Sequence, residues 1–448
     1  MHAKQLIALV LVGAAAATPA AAAAAEPSFE PRVHRDAAES RKGARDLRGA
    51  AFGQVGTQLS LTLRTARPWS AGSRSAEAAC VTLTGEGPVG QLCVSGKRPT
   101  VRFRAPGGRL RTVRGASVRR SGRTLKVQVY PRALGLAPGR LSWFVRSRCG
   151  RGCTDRVPRS GALPLEVSVY GAPRCFGAAA RAVEGGCANP ALRRLVTPAP
   201  ADAELMPDFP CDRTRDARSY SPAVPCLFGA RWAAGAPQMA LIGDSHAMSF
   251  RAPTEVAAQA LGSKVIGLAQ AGCGFATETH PGWPEVDENC RRYVRQVLRW
   301  LDGHPSVQTV IVTASATHGY TEEGLREMWA RIPASVTRIF VVVDVPRVTH
   351  RTAGCVNGVR RRRAVSEGAC ALPRDSKTVP PDPSREAAAG SSDPRVRLID
   401  LTHHFCDAER CFPVLGGAYA YRDTNHMNAV FGATLGPYLL EAMGALGG

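Results

Sequence analysis

Two short motifs, far apart in the chain, carry the side-chain types that nucleophilic catalysis requires. The sequence G-D-S-H occupies 243–246, directly after a short apolar run, and D-T-N-H occupies 423–426. A serine hydroxyl becomes a nucleophile when a histidine accepts its proton and a carboxylate holds that histidine in the required tautomer. We therefore predict that Ser245 is the nucleophile, His426 its general base and Asp423 the acid that orients the base.

The elements predicted around these motifs would bring them to one edge of a sheet. Short apolar runs alternate with helix-like stretches over the second half of the chain, at 239–242, 265–268, 307–313, 338–343 and 396–401. Such alternation predicts an α/β fold with a parallel sheet. Open parallel sheets place their active sites at the carboxyl ends of the strands, and Ser245 follows the first run.

Each motif also stands next to a predicted helix. A helix over 247–261 would put Ser245 at a helix amino terminus, where backbone N–H groups and the helix dipole stabilise negative charge. A second helix begins after Asn428, a typical N-cap residue, and would hold His426 just before a packed element. The alternative interpretation is that each motif is only a turn that caps a helix.

Together the two motifs resemble those of the SGNH hydrolases, most closely the extracytoplasmic SGNH domains that accompany acyltransferase-3 membrane proteins. The segment A-G-C at 271–273 resembles a further block of the family. The resemblance covers about 237–448 and implies a three-layer, flavodoxin-like parallel sheet. It also implies that the backbone N–H groups of Ser245 and Gly272 form the oxyanion hole.

The chain departs from the family pattern at one point. SGNH hydrolases usually supply an asparagine after the third strand, whereas residues 313–318 read T-A-S-A-T-H. The third oxyanion donor is therefore missing or replaced, and Thr317 and His318 are the candidates. Loss of one such donor costs about 3–4 kcal/mol in the transition state, so the site would be slower or adapted to acyl transfer.

The amino-terminal residues predict export. Residues 1–25 combine a short basic start, an apolar run and small residues, which is the form of a cleaved secretory signal peptide. The alternative is a membrane anchor, which needs about 20 apolar residues, and this run is shorter. We therefore expect a secreted or extracytoplasmic, cell-wall-associated protein.

The 14 cysteines agree with an oxidising compartment. No C-x-x-C pair and no zinc-like Cys/His spacing occurs, so we predict no metal and no other cofactor. We predict instead that sequential neighbours form seven local bridges: Cys80–Cys93, Cys149–Cys153, Cys175–Cys187, Cys211–Cys226, Cys273–Cys290, Cys355–Cys370 and Cys406–Cys411.

Three segments that differ in composition and apolar periodicity precede the α/β region. Residues 26–52 are polar and lack apolar periodicity, which predicts a flexible leader. Residues 53–171 contain short runs of alternating apolar and polar residues between Gly, Pro and Ser clusters, which predicts an all-β sandwich domain. Residues 172–236 are rich in cysteine and proline and are predicted to form a connector.

Positive charge is concentrated in the β region. Residues 26–170 contain 27 basic and 9 acidic residues, a net charge of +18, against +3 for 171–448. Two interpretations remain open: arginine fills the exposed face of the strands, or the surface attracts an anionic polymer. We predict no nucleic-acid binding, because the region has no recognised nucleic-acid motif. The best candidates for a charged patch are Arg102, Arg104, Arg109, Arg111 and Arg114.

Two functions of different classes are compatible with these features. The first is an exported serine esterase or O-acyltransferase that acts on acyl, above all acetyl, esters of cell-envelope carbohydrate. A transferase would need an acyl donor from across the membrane, and hence a partner such as an acyltransferase-3 protein. The alternative is a non-catalytic protein that binds the wall or a polyanion on a degenerate SGNH scaffold.

Overall fold

Antiparallel strands form the amino-terminal part of the described chain. The computed structural model describes residues 31–35, 46–69, 79–95, 99–150, 153–182, 186–205, 226–230, 235–278 and 284–444. The first twelve strands are β1 (His34–Arg35), β2 (Leu47–Val55), β3 (Gln58–Thr65), β4 (Ala79–Thr84), β5 (Pro88–Ser95), β6 (Thr100–Arg104), β7 (Arg111–Thr112), β8 (Ser117–Ser121), β9 (Thr124–Val129), β10 (Gly139–Gly150), β11 (Cys153–Val157) and β12 (Leu163–Val167).

These strands form two sheets around one apolar core. One sheet has the order β1-β2-β3-β9-β8, and the other has the order β11-β10-β4-β5-β6-β7 with β12 paired to β10. Side chains alternate along each strand, so that Leu61 and Leu63 of β3 and Val81 and Leu83 of β4 meet in one buried cluster. The prediction of a β-rich amino-terminal region is confirmed.

Part of the segment predicted to be a flexible leader forms a strand. Strand β2 begins at Leu47, inside 26–52, and Leu47, Ala50 and Phe52 are buried. The segment reads L-R-G-A-A-F-G-Q-V, in which small residues hide the period-two pattern. It is a strand because it pairs with β1 on one side and β3 on the other, and those contacts do not show in the local sequence.

The predicted connector is also more structured than its sequence indicated. It contains 3-10 helices at Gly177–Arg181 and Pro190–Leu192, helix α1 (Pro200–Leu205) and strand β13 (Cys226–Gly229). Strand β13 joins the sheet of the α/β region. Ala178 is buried, and its backbone N–H donates to Thr434 Oγ1 at 2.9 Å, so this part of the segment packs on the last helix of the chain.

Helices and strands alternate from residue 238 onward. The elements are β14 (Gln238–Gly243), α2 (Ser245–Ser249), α3 (Arg251–Leu261), β15 (Lys264–Gly267), α4 (Pro284–Asp302), β16 (Val307–Thr313), α5 (Glu322–Ala330), β17 (Arg338–Val342), α6 (Thr352–Arg361), β18 (Leu372–Pro373), α7 (Pro383–Ala389), β19 (Val396–Ile399), β20 (Arg410–Cys411), β21 (Val414–Leu415), β22 (Ala418–Tyr419) and α8 (Ala429–Ala442). The main sheet has the order β13-β15-β14-β16-β17-β19. Strands β14 to β17 and β19 pair in parallel, and β13 is antiparallel to β15.

Both faces of this sheet are covered by apolar packing. Met239 and Leu241 of β14 belong to one buried cluster, which includes residues of α3 and α8. Their neighbours Ala240 and Ile242 point the other way, into a second cluster with residues of α4 and α5. The prediction of a mixed α/β fold is confirmed.

Five of the seven predicted disulfides are confirmed. They are Cys80–Cys93, Cys175–Cys187, Cys273–Cys290, Cys355–Cys370 and Cys406–Cys411. The predicted bridges Cys149–Cys153 and Cys211–Cys226 each involve side chains outside the described part of the chain. Among the helices of the described residues, none is long and apolar enough to cross a membrane.

Candidate active site

The first motif forms a tight strand-to-helix turn at the carboxyl end of β14. Strand β14 ends at Gly243, and α2 begins at Ser245. Asp244 is the N-cap of α2, and its Oδ1 accepts the backbone N–H of His246 at 2.8 Å. Gly243 has φ +141°, and a Cβ there would lie 1.8 Å from the carbonyl oxygen of Thr313. Only glycine fits this position, and it brings the turn against strand β16.

The three side chains predicted to act together form one hydrogen-bonded chain. His426 Nε2 lies 2.8 Å from Ser245 Oγ, and His426 Nδ1 lies 2.8 Å from Asp423 Oδ2. Both distances are within the range of catalytic hydrogen bonds, about 2.6–3.2 Å. Ser245 and His426 are half-buried and Asp423 is more exposed. The arrangement can pass a proton from the Ser245 hydroxyl to the His426 ring.

The second motif is a turn that Asp423 holds together. Its Oδ1 accepts the backbone N–H groups of Asn425 and His426, at 3.0 and 2.8 Å. Burial alone would raise the pKa of Asp423, but the hydrogen bonds from His426 and the backbone outweigh it and lower the pKa to about 2. Asn428 caps α8 by accepting the N–H groups of Val430 and Phe431, which anchors the turn to that helix.

A second histidine–aspartate pair lies beneath the first. His246 Nδ1 is 2.6 Å from Asp344 Oδ1, and the two side chains are only 2% and 4% exposed. Burial opposes a charge on His246, but the Asp344 carboxylate outweighs it and raises the pKa of His246 above its ordinary value. The ring centroids of His246 and His426 are 4.6 Å apart. The His246–Asp344 pair lies directly beside the Ser245–His426 hydrogen bond.

Asn425 links the two pairs. Its backbone N–H donates to Asp423, and its side-chain amide lies 3.3 Å from His246 Nε2. Sequence reasoning did not identify Asn425 or Asp344, and it assigned His246 no role. One signal was present, because Asp344 directly follows the fourth apolar run and so comes to the same carboxyl edge as Ser245.

Gly272, predicted as an oxyanion donor, lies in the loop after β15. The loop runs beside the nucleophile turn, since the N–H of Gln270 donates to the carbonyl oxygen of Gly243 at 2.9 Å. Gly272 is half-buried with φ +76°, and the Cys273–Cys290 disulfide tethers the loop to α4. The structure thus brings Gly272 to the strand edge that carries Ser245. Its role as a donor remains a prediction.

In the loop after β16, where an asparagine was expected, two backbone N–H groups point toward buried carboxylates. The backbone N–H of Ser315 donates to Asp244 Oδ2 at 2.9 Å, and that of Ala316 donates to Asp344 Oδ2 at 3.0 Å. Of the two candidate replacements, His318 places Nδ1 3.3 Å from Asp244 Oδ2, while Thr317 Oγ1 lies 3.3 Å from Ser315 Oγ. The loop thus supports the two buried carboxylates under the motifs.

No metal is indicated at this site. Within the part of the chain that the structure describes, no group of three or more His, Cys, Asp or Glu side chains could hold a metal ion.

Comparison with known proteins identifies the family. A family model described as "SGNH domain (fused to AT3 domains)", in which AT3 denotes acyltransferase-3, matches residues 210–441, just over half of the chain. The chain therefore belongs to this family of SGNH domains. No curated protein matches the chain. Among solved structures it is similar to the periplasmic domain of the Salmonella ser. Paratyphi A lipopolysaccharide acetyltransferase, at 15% identity and TM-score 0.34, over 47% of this chain and 83% of that one.

Proposed function

We propose that the chain is a serine esterase or O-acyltransferase that acts on acyl, above all acetyl, esters of cell-envelope carbohydrate. The observation that carries this proposal is the hydrogen-bonded chain Ser245–His426–Asp423 at the carboxyl edge of the sheet. Membership of the SGNH family supports an esterase or acyltransferase type of activity.

The first half of the reaction would form an acyl-serine. Ser245 Oγ bonds to the acyl carbonyl carbon while its proton passes to His426 Nε2, and Asp423 stabilises the imidazolium. The carbonyl electron pair moves to oxygen, and the N–H groups of Ser245 and Gly272 would stabilise that oxyanion. Collapse restores the carbonyl and breaks the ester bond, and the departing sugar oxygen takes the proton from His426.

The second half would release the acyl group. Water or a sugar hydroxyl attacks the acyl carbon and gives its proton to His426, which returns it to Ser245 Oγ as the acyl–serine bond breaks. Water gives hydrolysis, and a sugar hydroxyl gives acyl transfer. Transfer needs an acylated donor, and the family description, SGNH domains fused to acyltransferase-3 domains, supports a membrane partner of that kind.

An extracytoplasmic location fits the same proposal. Disulfides persist in oxidising compartments and are rare in the cytosol. The described residues contain five of them, three of which, Cys273–Cys290, Cys355–Cys370 and Cys406–Cys411, lie in the α/β region. Cell-envelope carbohydrate is the ester-bearing substrate class that such a location would offer.

A non-catalytic wall-binding protein is the second candidate. The observation that favours it is the loop after β16, which lacks the asparagine and turns the N–H groups of Ser315 and Ala316 toward buried carboxylates. A site without its third oxyanion donor could keep the fold and lose the reaction.

Covalent labelling separates the two candidates. A fluorophosphonate probe should label the wild-type chain and should not label Ser245→Ala. Ser249→Ala, one turn later in the same helix, is the matched control and should label like the wild type. If the wild-type chain is not labelled, the enzyme proposal fails and the binding protein is favoured.

A second measurement separates hydrolysis from transfer. Hydrolysis of 4-nitrophenyl acetate is followed with and without an oligosaccharide acceptor, and the acceptor is examined for added acetyl groups by mass spectrometry. An esterase releases acetate in both cases. A transferase acetylates the acceptor and does so only when Ser245 is present.

A further inference from the structure

The outward face of the seven-stranded sheet carries arginines. In β6, Val101 and Phe103 are buried, so Arg102 and Arg104 lie on the opposite, outward face. Strand alternation thus places two of the five candidates named from the sequence on that face. Arg111 pairs with Phe103 and lies on the other side of the sheet. The strand register therefore keeps Arg102 and Arg104 in the predicted patch and removes Arg111 from it.

Strand pairing aligns Arg102 with other arginines. A row of directly paired residues crosses this side of the sheet, and it consists of Arg156, Arg146, Cys80, Cys93 and Arg102, of which Cys93 is fully buried. The adjacent row consists of Phe144, Thr82, Gln91 and Arg104. Neither row contains an acidic residue. The arginine face is defined here as these two rows.

The spacing within the face is set by sheet geometry. Neighbouring strands lie about 4.8 Å apart, so Arg146 and Arg102, three strands apart, have backbones about 14 Å apart. Arg102 and Arg104 follow each other at about 7 Å along β6. The positive charges are thus spread over an extended surface.

Two of these arginines are held around one aromatic ring. The guanidinium carbons of Arg146 and Arg156 lie 5.1 and 4.2 Å from the centre of the Phe144 ring. The two arginines are directly opposite each other in the pairing of β10 and β11, and like charges in such positions destabilise a sheet. Burial and the charge of Arg146 both lower the pKa of Arg156. A bound anion would relieve this repulsion.

Two acidic residues of the neighbouring strands β11 and β12, Asp155 and Glu166, lie apart from the two rows. The sequence from 87 to 154 contains no Asp or Glu. Asp155 points inward, where its buried Oδ2 accepts the N–H of Leu47 at 2.6 Å. Glu166 lies across from Arg140, six residues before Arg146 on β10, which is about 20 Å along the strand.

We propose that the arginine face binds an anionic polysaccharide, an extended glycan that carries carboxylate or phosphate groups at intervals. Gln91 lies between the arginines, and its Oε1 accepts a hydrogen bond from Arg104 at 2.9 Å, which holds that guanidinium on the face. A membrane surface is less favoured as the partner, because the two rows contain one aromatic ring, flanked by arginines, and no cluster of apolar side chains that would insert between lipids. This inference does not depend on the reaction at Ser245.

The test compares two charge-matched variants of the full chain. The face variant carries Arg102→Gln, Arg104→Gln and Arg146→Gln. The control carries Arg119→Gln, Arg120→Gln and Arg123→Gln, exposed arginines of β8 and the turn after it, in the other sheet. A third variant replaces the three face arginines by lysine and keeps the charge. The probes are immobilised polygalacturonate and poly(glycerol phosphate).

The wild-type chain should bind at least one polymer at 0.1 M salt and lose binding at 1 M, where the screening length falls from about 10 to about 3 Å. Each basic residue near an anionic layer contributes about fivefold. The face variant should therefore bind at least about tenfold more weakly, and the control and the lysine variant should stay within about threefold of the wild type.

Three results would overturn the proposal: no binding to either polymer, equal losses in the face variant and the control, or binding only to vesicles with 30 mol% phosphatidylglycerol. Thermal midpoints show whether each variant is folded, and the single change Arg102→Gln replaces the triple variant if that one unfolds. Hydrolysis of 4-nitrophenyl acetate should be unchanged in all variants. A failure of polymer binding by the arginine face is thus distinguishable from a failure of the proposed reaction at Ser245.

Discussion

At the scale of the residue, Asp423 has two tasks that can be separated. It closes the turn through two backbone N–H groups and contacts His426 Nδ1 through its other oxygen. We expect Asp423→Asn to lower kcat for an acetyl ester by about 10³–10⁴-fold, because the amide favours the wrong histidine tautomer. Asp407→Asn is the control, since Asp407 also accepts two backbone N–H groups in a turn. A loss below tenfold would contradict the assigned role.

The pH dependence of that carboxylate follows from its depressed pKa of about 2. The stability that its charge contributes is fully present above its ordinary pKa and is lost as the pH falls through about 2. Asp423 therefore stays ionised between pH 5 and pH 3. We expect any change in kcat/KM over this range to be the same in the wild-type chain and in Asp423→Asn. A pH–rate profile of both chains checks this.

The buried pair His246–Asp344 should contribute more to stability than a surface pair. Asp344→Asn leaves a buried histidine without its charged partner, which costs about 3–5 kcal/mol. Glu288→Gln, which removes an exposed partner of Arg295, should cost about 0–1 kcal/mol. Urea unfolding measures both changes.

The sign of the pH effect on this pair is fixed by His246. Its folded-state pKa is raised, so the stability from its protonation is fully present below its ordinary pKa of 6.5 and is lost as the pH rises through the folded-state value. The stability difference between wild type and Asp344→Asn should therefore be larger at pH 6 than at pH 9. A difference that grows with pH would contradict the ion pair.

At the scale of the element, the turn from β14 to α2 depends on one glycine. Gly243→Ala places a methyl group against the Thr313 carbonyl at a positive φ. We expect it to lower the free energy of unfolding by at least about 1–3 kcal/mol and to abolish fluorophosphonate labelling.

Gly354→Ala in α6 is the opposite case, because nothing lies within 4 Å of the added methyl. That change should stabilise the chain by about 0.5–1 kcal/mol, as measured by thermal unfolding.

At the scale of the whole molecule, the amino-terminal boundary of the β region is testable. A chain that starts at residue 53 lacks β1 and most of β2, and exposes the core that Leu47, Ala50 and Phe52 cover. We expect it to unfold at a lower temperature than a chain that starts at residue 31, because buried apolar contacts are lost. Equal thermal midpoints would instead support a β region that begins at residue 53, as the sequence predicted.

The parts that the sequence predicted are those with local signals. Period-two runs predicted the β-rich region, alternating strand and helix patterns predicted the α/β region, and sequential cysteines predicted five bridges that the structure contains. Ser245, His426 and Asp423, which the structure joins by hydrogen bonds, were predicted to act together because their residue types match the requirements of a serine nucleophile. Each of these signals is carried by neighbours in the chain, so no tertiary contact was needed to find them.

Other features were decided only by the tertiary structure, because they depend on contacts between distant residues. Strand β2 forms because its neighbours pair with it, and β13 joins a sheet whose other strands follow it in the chain. Asp344 and Asn425 become part of the site because separate loops reach the same sheet edge. The arginine face follows from strand register, since a shift of one residue would move Arg102 and Arg104 to the buried side.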